Sequence, residues 1–470
     1  MSNFAKETRD NFVAKLNLQI TNTHDMKKSL VFCLAGLLFS GHAMGQKSWT
    51  LSECIDYALA NNISLKKAAA NIESQETTVY ERRGALLPSV SAAVQQGLNW
   101  RPLSESANNF VNNGIASSSA NHATYSGSYG VNAQWIAWNG GRNRMNIESA
   151  EMNRDIARLA LAQSSNNIAE QIAQLYVQIL YMEEALKVNE QLLEHDKAIY
   201  ERGKDMVEQG QMSRSDLVQL EAQVASGEYD VVNTRTQISQ VKLSLKQLLE
   251  LAPEDEIEVT AQNVTDAKAT SLIADKMDIY EYALENRPEI KSADIAIEQS
   301  RLNSRIARAQ RLPSLSINAG LSDSHMSGSN GMGVQLRNNL VTSVSAGLQI
   351  PIFDQRQTKA AVQRAEIAEL TARLDRQDAE KTLYQTIEQY WLNATNSQQK
   401  YIASKAHVRS MATNYELLED QFHLGLKNSV ELVQSRGNLL TARQTNLQDK
   451  YTTILNMLLL DFYNGKPLSL

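Results

Sequence analysis

The chain repeats itself. Residues 55–91 align without a gap on residues 280–316, with 13 identities that include Tyr57-Ala58-Leu59 on Tyr282-Ala283-Leu284 and Leu87-Pro88-Ser89 on Leu312-Pro313-Ser314. Further along, the offset falls from 225 to 215 and pairs Trp138 with Phe353, Ala150-Glu151 with Ala365-Glu366, Gly210 with Gly425 and Leu217-Val218 with Leu432-Val433. The ten extra residues of the first copy therefore fall between Ser89 and Trp138, in an Asn- and Ser-rich stretch that reads as a surface loop. A duplication of this kind restricts the fold to two equivalent units, since whatever one copy forms the other must form beside it.

Each copy has the order short helix, two strands, long helix, turn, helix. Residues 89–100 place Val90, Ala92, Val94 and Leu98 on one face and Ser89, Ser91, Gln95 and Asn99 on the other, the period of two that marks a strand. Residues 124–138 alternate Tyr125, Tyr129, Val131, Ala133 and Trp135 against Ser126, Ser128, Asn132 and Gln134. The second copy predicts strands over 314–322 and 340–352. There Leu315, Ile317, Ala319 and Leu321 oppose Ser314, Ser316, Asn318 and Ser322, while Val344, Ala346, Leu348 and Ile350 oppose Ser343, Ser345, Gly347 and Gln349. One face is apolar and the other polar but uncharged. Trp100 and Tyr125 fall at the loop ends and Trp135 and Trp138 at the helix ends, as an aromatic girdle at the two lipid interfaces would. A periplasmic β-sandwich with one wet face would alternate in the same way.

The helices are long. From Asn143 to Gly203 the chain has no Pro or Gly, and Ile168, Ile172, Leu175, Ile179, Met182 and Leu186 recur at spacings of four and three, a coiled-coil seam. After a break at 203–215, positions 217, 220, 224, 227, 231, 234, 238, 241, 245 and 248 keep heptad spacing, with Gly227 and Thr234 as exceptions. In the second copy Val408, Met411, Tyr415, Leu418 and Phe422 run to Gly425, and the chain turns again at a tip over 422–430. Sixty helical residues reach roughly 90 Å, so the fold is a rod. The helices at 52–86, 213–250, 277–310 and 429–463 are about half that length. Two of them end to end match one long helix, which places 251–276, broken by Pro253, at a mid-rod belt. The domain plan is thus a first repeat at 46–250, the belt, and a second repeat at 277–470.

The amino terminus reads as an address. Lys27-Lys28, an apolar run from Leu30 to Phe39 and small residues ending at Gly45 fit a secretory signal, so residues 1–45 are expected to be an upstream extension and a removed leader. Ten apolar residues fall short of the roughly 20 that a spanning helix needs. An exported chain without a longer apolar run enters a membrane only as strands. A net charge of −6 lacks the basic excess of a nucleic-acid binder. Two cysteines, Cys33 and Cys54, and seven scattered histidines offer neither a disulfide scaffold nor zinc-ligand spacing, so no cofactor or metal is expected.

Closure sets a stoichiometry. Four strands cannot close, eight would be filled by their own side chains, and twelve leave an aqueous lumen, so a trimer is the smallest open solution. The fold class expected is therefore mixed. A long antiparallel α-helical coiled-coil barrel joins a membrane β-barrel with four strands per chain, twelve in a trimer.

These residues resemble the TolC-like outer-membrane efflux proteins over the whole chain after the leader. The two-copy order, the Leu-Pro-Ser strand starts, Ile350-Pro351-Ile352-Phe353-Asp354 at a strand-to-helix junction and the Gly-x5-acid-Leu-Val tips carry the resemblance. It implies a homotrimer in the outer membrane of a Gram-negative bacterium, with a tunnel across the periplasm and a periplasmic adaptor (membrane fusion protein) linking it to an inner-membrane RND or ABC transporter. Small molecules such as drugs would leave through it. A type I protein-secretion duct is the alternative, and a non-transporting coiled-coil scaffold is the rival of another class.

The two tips, Gly210 to Val218 and Gly425 to Val433, each place an acid six residues after the glycine. Ser213 and Asp216 suit a helix start, where negative charge is favourable. By resemblance, Glu431 takes an acid-ring position of a periplasmic gate with Asp216 beside it, while Phe422 and Lys427 take the aromatic and basic positions that hold the gate shut. Gln434 stands where the family has a second acid. Gly210, Ser213, Leu217, Gly425, Leu426, Ser429 and Leu432 would receive the adaptor. No HExxH, GxSxG or P-loop is present, so no enzyme is expected. Gly328-Ser329-Asn330-Gly331-Met332-Gly333 lies between strands and reads as a flexible loop.

Overall fold

The structure is a computed structural model describing residues 48–100, 102, 107–111, 114–118, 123–260, 264–327 and 331–470. The expected upstream extension and leader, residues 1–45, lie outside these. The chain divides into a main body, Trp49–Asp255 with Val259–Leu470, and a second unit, Met1–Ser48 with Glu256–Glu258, of which Ser48 and the last three residues are described. In chain order the main body has helices α1 (Leu51–Asn61), α2 (Ile63–Gly84), α3 (Arg142–Glu208), α4 (Arg214–Leu249), α5 (Asp266–Ala269), α6 (Lys276–Asn286), α7 (Pro288–Ala309), α8 (Met332–Asn338), α9 (Gln357–His423) and α10 (Ser429–Tyr463). Its strands are β1 (Ser89–Trp100), β2 (Ala107–Val111), β3 (Gly114–Ser118), β4 (Ala123–Trp138), β5 (Ser314–Met326) and β6 (Val341–Gln349).

Where one helix is expected over 52–86 there are two. Thr50 opens α1 with a capping box, its hydroxyl accepting from the Glu53 N–H at 3.3 Å while its own N–H donates to Glu53 Oε2 at 2.9 Å. The chain leaves the helix at Asn62, whose Oδ1 caps α2 through the Ser64 N–H at 2.9 Å and whose Nδ2 donates to the Leu248 carbonyl at 3.0 Å. Its counterpart over 277–310 divides into α6 and α7 at Arg287, held extended (ψ 136°) because the following Pro288 disfavours helical backbone there. Arg287 is buried at this junction. It pairs with Glu289 at 3.0 Å and Glu170 at 3.4 Å, and its guanidinium lies 4.1 Å from the Tyr463 ring centroid.

Helices α3 and α9 have 67 residues each, against 11, 22 and 36 for α1, α2 and α4, and 11, 22 and 35 for α6, α7 and α10. Helix α2 packs on α3 and α4 on the rest of it, while α7 and α10 do the same along α9. The α4 heptad is buried where it matters, at Leu220, Gly227, Val231, Ile238 and Leu245. On α3 the expected single seam is doubled. Ala169, Ala173, Tyr176 and Leu180 are buried beside Ile168, Ile172 and Ile179, because α3 also meets α1, α7 and α10.

Strands β1, β4, β5 and β6 form one antiparallel sheet in that order. Directly opposed residues in antiparallel strands share a face. In the part of the sheet nearer the helices the register keeps like with like across all four strands, whereas β5 runs past the expected 322 and sets Asp323 and His325 on the apolar face opposite Tyr129 and Gly127. Ala92, Val131, Leu321 and Thr342 form one row and Val90, Ala133, Ala319 and Val344 the next. On the opposite face run Ser91, Asn132, Gly320 and Ser343, then Ser89, Gln134, Asn318 and Ser345. The apolar row is open to its surroundings, with Val94 70% and Val344 77% exposed. Among the described residues the outer edges of β1 and β6 pair with no strand. Of the aromatics expected to form a girdle, Trp100, Tyr125 and Trp138 are exposed, and Trp135 donates its indole N–H to the Leu86 carbonyl at 2.9 Å.

Two loops carry more structure than expected. The Asn- and Ser-rich stretch contains the antiparallel hairpin β2–β3. In the glycine-rich stretch residues 328–330 lie outside the described residues, and Gly331 precedes the short helix α8. Beyond these, no described helix is long and apolar enough to cross a membrane.

Candidate functional site at the helical tips

Both long helices end in the same way. Gly210 (φ +69°) and Gly425 (φ +70°) take the left-handed conformation that glycine adopts without a Cβ penalty. The Gln211 N–H reaches back to the Met206 carbonyl at 2.8 Å and the Gly210 N–H to Val207 at 3.0 Å. Leu426 and Gly425 repeat this on Gln421 at 2.8 Å and Phe422 at 2.9 Å. These are Schellman closures, which satisfy the last carbonyls of a helix. The returning helices start on side-chain caps. The Asp216 N–H donates to Ser213 Oγ at 3.1 Å and the Glu431 N–H to Asn428 Oδ1 at 3.0 Å. Each acid therefore sits in a first turn, where the helix dipole favours it.

Beyond that shared frame the two acids differ. Asp216 Oδ2 accepts from the Ser213 hydroxyl at 2.6 Å and Oδ1 from the Ser429 hydroxyl at 2.6 Å. These two hydroxyls hold its carboxyl below the usual carboxylate range. Ser429 is fully buried, so this bond ties the start of α10 to the start of α4 from within. Glu431 pairs with Lys427, Nζ to Oε2 at 2.5 Å, in a half-exposed position. Gln434 donates to Asn438 Oδ1 at 3.3 Å, one turn farther along α10. Phe422 lies in a buried cluster with Leu192, Ile199, Leu220, Tyr415, Leu432 and Leu439. The structure thus brings Lys427 to Glu431 and Asp216 to Ser213 and Ser429, and gives Phe422 an interhelical packing place.

Of the residues expected to meet an adaptor, Gly210, Ser213, Gly425 and Leu426 are exposed and Leu217 is half-buried. Ser429 and Leu432 are inside. Exposed Val218, Leu424 and Val430 add apolar surface at the same end, a feature that single hydrophobic residues beside a turn do not advertise in sequence.

Just above the tips lies an ion pair that sequence reasoning missed. Asp196 on α3 and Arg436 on α10 meet at 2.8 Å, both side chains almost wholly buried, and Gln223 on α4 donates to the same carboxylate at 3.3 Å. Burial pushes the Asp196 carboxyl above its usual range, against the pull of Arg436. The available signal was Gly227, the break in the α4 heptad. A Cβ there would lie 3.1 Å from Leu193 Cδ1, 3.6 Å from Asp196 Oδ2 and 3.7 Å from Arg436 Nη2, so the missing side chain makes room for the pair. Among the described residues no group of His, Cys, Asp and Glu is arranged to hold a metal ion.

A sequence profile described as outer membrane efflux protein matches residues 54–250 and 279–463. The chain is 20% identical over 430 residues to the outer membrane protein TolC of Vibrio cholerae, covering 90% of this chain and 93% of that one. It is 23% identical over 424 residues to the probable efflux pump outer membrane protein TtgC of Pseudomonas putida, covering 86% and 80%. Its fold superposes on the open-state MtrE outer membrane channel of Neisseria gonorrhoeae with a TM-score of 0.71 at 20% identity, over 89% of this chain and 90% of that one. With long helical hairpins, one amphipathic sheet and paired glycine tips on a chain whose two halves both match the profile, the protein belongs to the outer membrane efflux protein family and resides in the outer membrane.

Proposed function

We propose that three copies of this chain close a twelve-stranded barrel in the outer membrane and continue it as a helical tunnel, the exit duct of an efflux pump for small molecules. The sheet register carries this reading. Four strands hold an apolar and an uncharged polar face in line and leave two free edges, and a long unpaired edge is a template for another strand. Joining β6 of one copy to β1 of the next satisfies both edges, turns the apolar rows to lipid and lines a lumen with Ser, Asn and Gln. Each chain would supply two equivalent units, in keeping with the internal duplication.

The tips form the periplasmic entrance, with Glu431 and Lys427 at the constriction. Exposed Gly210, Gly425 and Leu426 would receive the helical hairpins of a periplasmic adaptor, and an inner-membrane transporter supplies the energy. Relatives in Pseudomonas putida that are named for antibiotic efflux and for toluene efflux support a small-molecule cargo.

Planar-bilayer conductance of detergent-extracted protein, with the oligomer mass measured in parallel, tests the proposal. Discrete current steps from a trimer are expected. A species that is not trimeric and carries no current would remove the duct and leave a coiled-coil scaffold.

A further inference from the structure

Two histidines bridge α3 and α9 above the tips. Arg202 Nη1 lies 2.9 Å from His423 Nε2, and Glu419 Oε1 lies 3.5 Å from the same nitrogen. The other oxygen of Glu419 meets His195 Nε2 at 2.9 Å. A guanidinium is permanently charged and can only donate. His423 Nε2 must therefore accept, so its ring is neutral with the proton on Nδ1, an atom that is buried without a hydrogen-bond partner.

This geometry gives His423 two partners that exclude each other. Neutral, it accepts from Arg202 on the neighbouring helix. Protonated on Nε2, it repels Arg202 and donates to Glu419, four residues back on its own helix. We infer that His423 is an acid-released latch, exchanging an α3–α9 bond for a bond within α9 when it takes up a proton. His195 works the other way, because its protonation reinforces the contact with Glu419 across the two helices. The upper bridge then persists as a pivot while the last turn of α9 separates from α3.

The charged and titratable groups near the latch include His195, Asp196, Lys197, Glu201, Arg202 and Lys204 from α3, Tyr415 and Glu419 from α9, Lys427 just beyond it in pair with Glu431, and Arg436 from α10. Helix α4 contributes Gln223 on Asp196, Glu228 in pair with Lys197, and Glu221 near Lys204. Asp196 and Arg436 already neutralise one another, and Tyr415 stays protonated because burial pushes its phenol upward. Histidine is the side chain whose ordinary titration falls between about pH 5 and 8, and that is the range over which the exchange is tested.

The latch stands on α3 and α9 alone, while its effect on permeation rests on the duct reading. A distance measurement keeps the two apart, since it needs no current. Spin labels at Gln211→Cys and Leu426→Cys report the separation of the two tips in the full chain. Cys33 is replaced by serine in the labelled protein, and Cys54 does not interfere, being fully buried with its thiol pushed up to about 12. Acidification from about pH 8 to about pH 5.5 is expected to raise the long-distance population roughly threefold or more, reversibly. His423→Gln keeps an acceptor for Arg202 but cannot charge, and should abolish the response. His195→Gln should leave it in place. An unchanged distance in the parent protein, a response surviving His423→Gln, or a response lost in His195→Gln with His423 intact would each overturn the assignment.

Discussion

Ser429 donates its hydroxyl to Asp216 across 213 residues of sequence, at 2.6 Å, and so fastens one helical tip to the other. The acid that suits a simple helix cap is also the clasp between the two hairpins. Ser429→Ala is expected to lower the unfolding free energy by about 1 kcal/mol, a charged hydrogen bond discounted for the exposure of the carboxylate. The folded-state pKa of Asp216 is depressed, so its contribution is present above the unfolded value and is lost as pH falls through the folded one. Removing the Ser429 hydroxyl raises the folded value. Thermal unfolding followed against pH should show the variant and parent converging at acid pH and separated at neutral pH.

The buried pair of Asp196 and Arg436 makes a different prediction. Asp196→Ala leaves a guanidinium buried without its counter-charge and should cost about 3–5 kcal/mol. Replacing both residues by leucine and methionine should recover most of that loss. Denaturant midpoints of the two variants decide the matter, and equal losses would mean that packing around the pair, rather than its charge, sets the stability.

Gly425→Ala meets open space, with nothing within 4 Å of the added Cβ, so its cost is the left-handed backbone alone. About 1–2 kcal/mol is expected. Gly425→Asn should be milder because asparagine tolerates that conformation. Calorimetric midpoints should rank glycine above asparagine above alanine.

For the proposed duct, the Lys427–Glu431 pair makes a prediction about permeation. If the three Glu431 carboxylates of an assembled duct face one axis, Lys427→Met frees them and should strengthen block by divalent cations about tenfold, while Glu431→Gln should abolish it. Single-channel recordings with and without divalent cations read both. Unchanged block in both variants would place the constriction elsewhere.

Much of the fold was legible because it follows short periods. The α4 heptad positions Leu220, Val231, Ile238 and Leu245 are buried, and the strand alternation of Val90 and Ser91 persists across the sheet register. What escaped was non-local or atypical. The second seam of α3, at Ala169, Ala173 and Tyr176, exists because several helices meet there, and small residues are weak hydrophobic signals. Arg436 reads as a solvated charge until Asp196, distant in sequence, is brought against it. Asn62 and Arg287 divide helices that their apolar periodicity would continue. At the tips, spacing located Asp216 and Glu431 at helix starts, yet gave no sign that one is clasped by Ser429 and the other by Lys427.

The strand order also has a consequence in time. The helical hairpins join segments adjacent in the chain, and such local contacts form quickly. Strand β4 can pair with β1 early, but its other neighbour, β5, is synthesised about 190 residues later. Until then the β1–β4 ribbon waits with β4 unpaired on one side, attached to a helix already able to form. The inner edge of β4 is therefore open to mispairing until β5 of the second copy covers it, and the outer edges of β1 and β6 stay open even then.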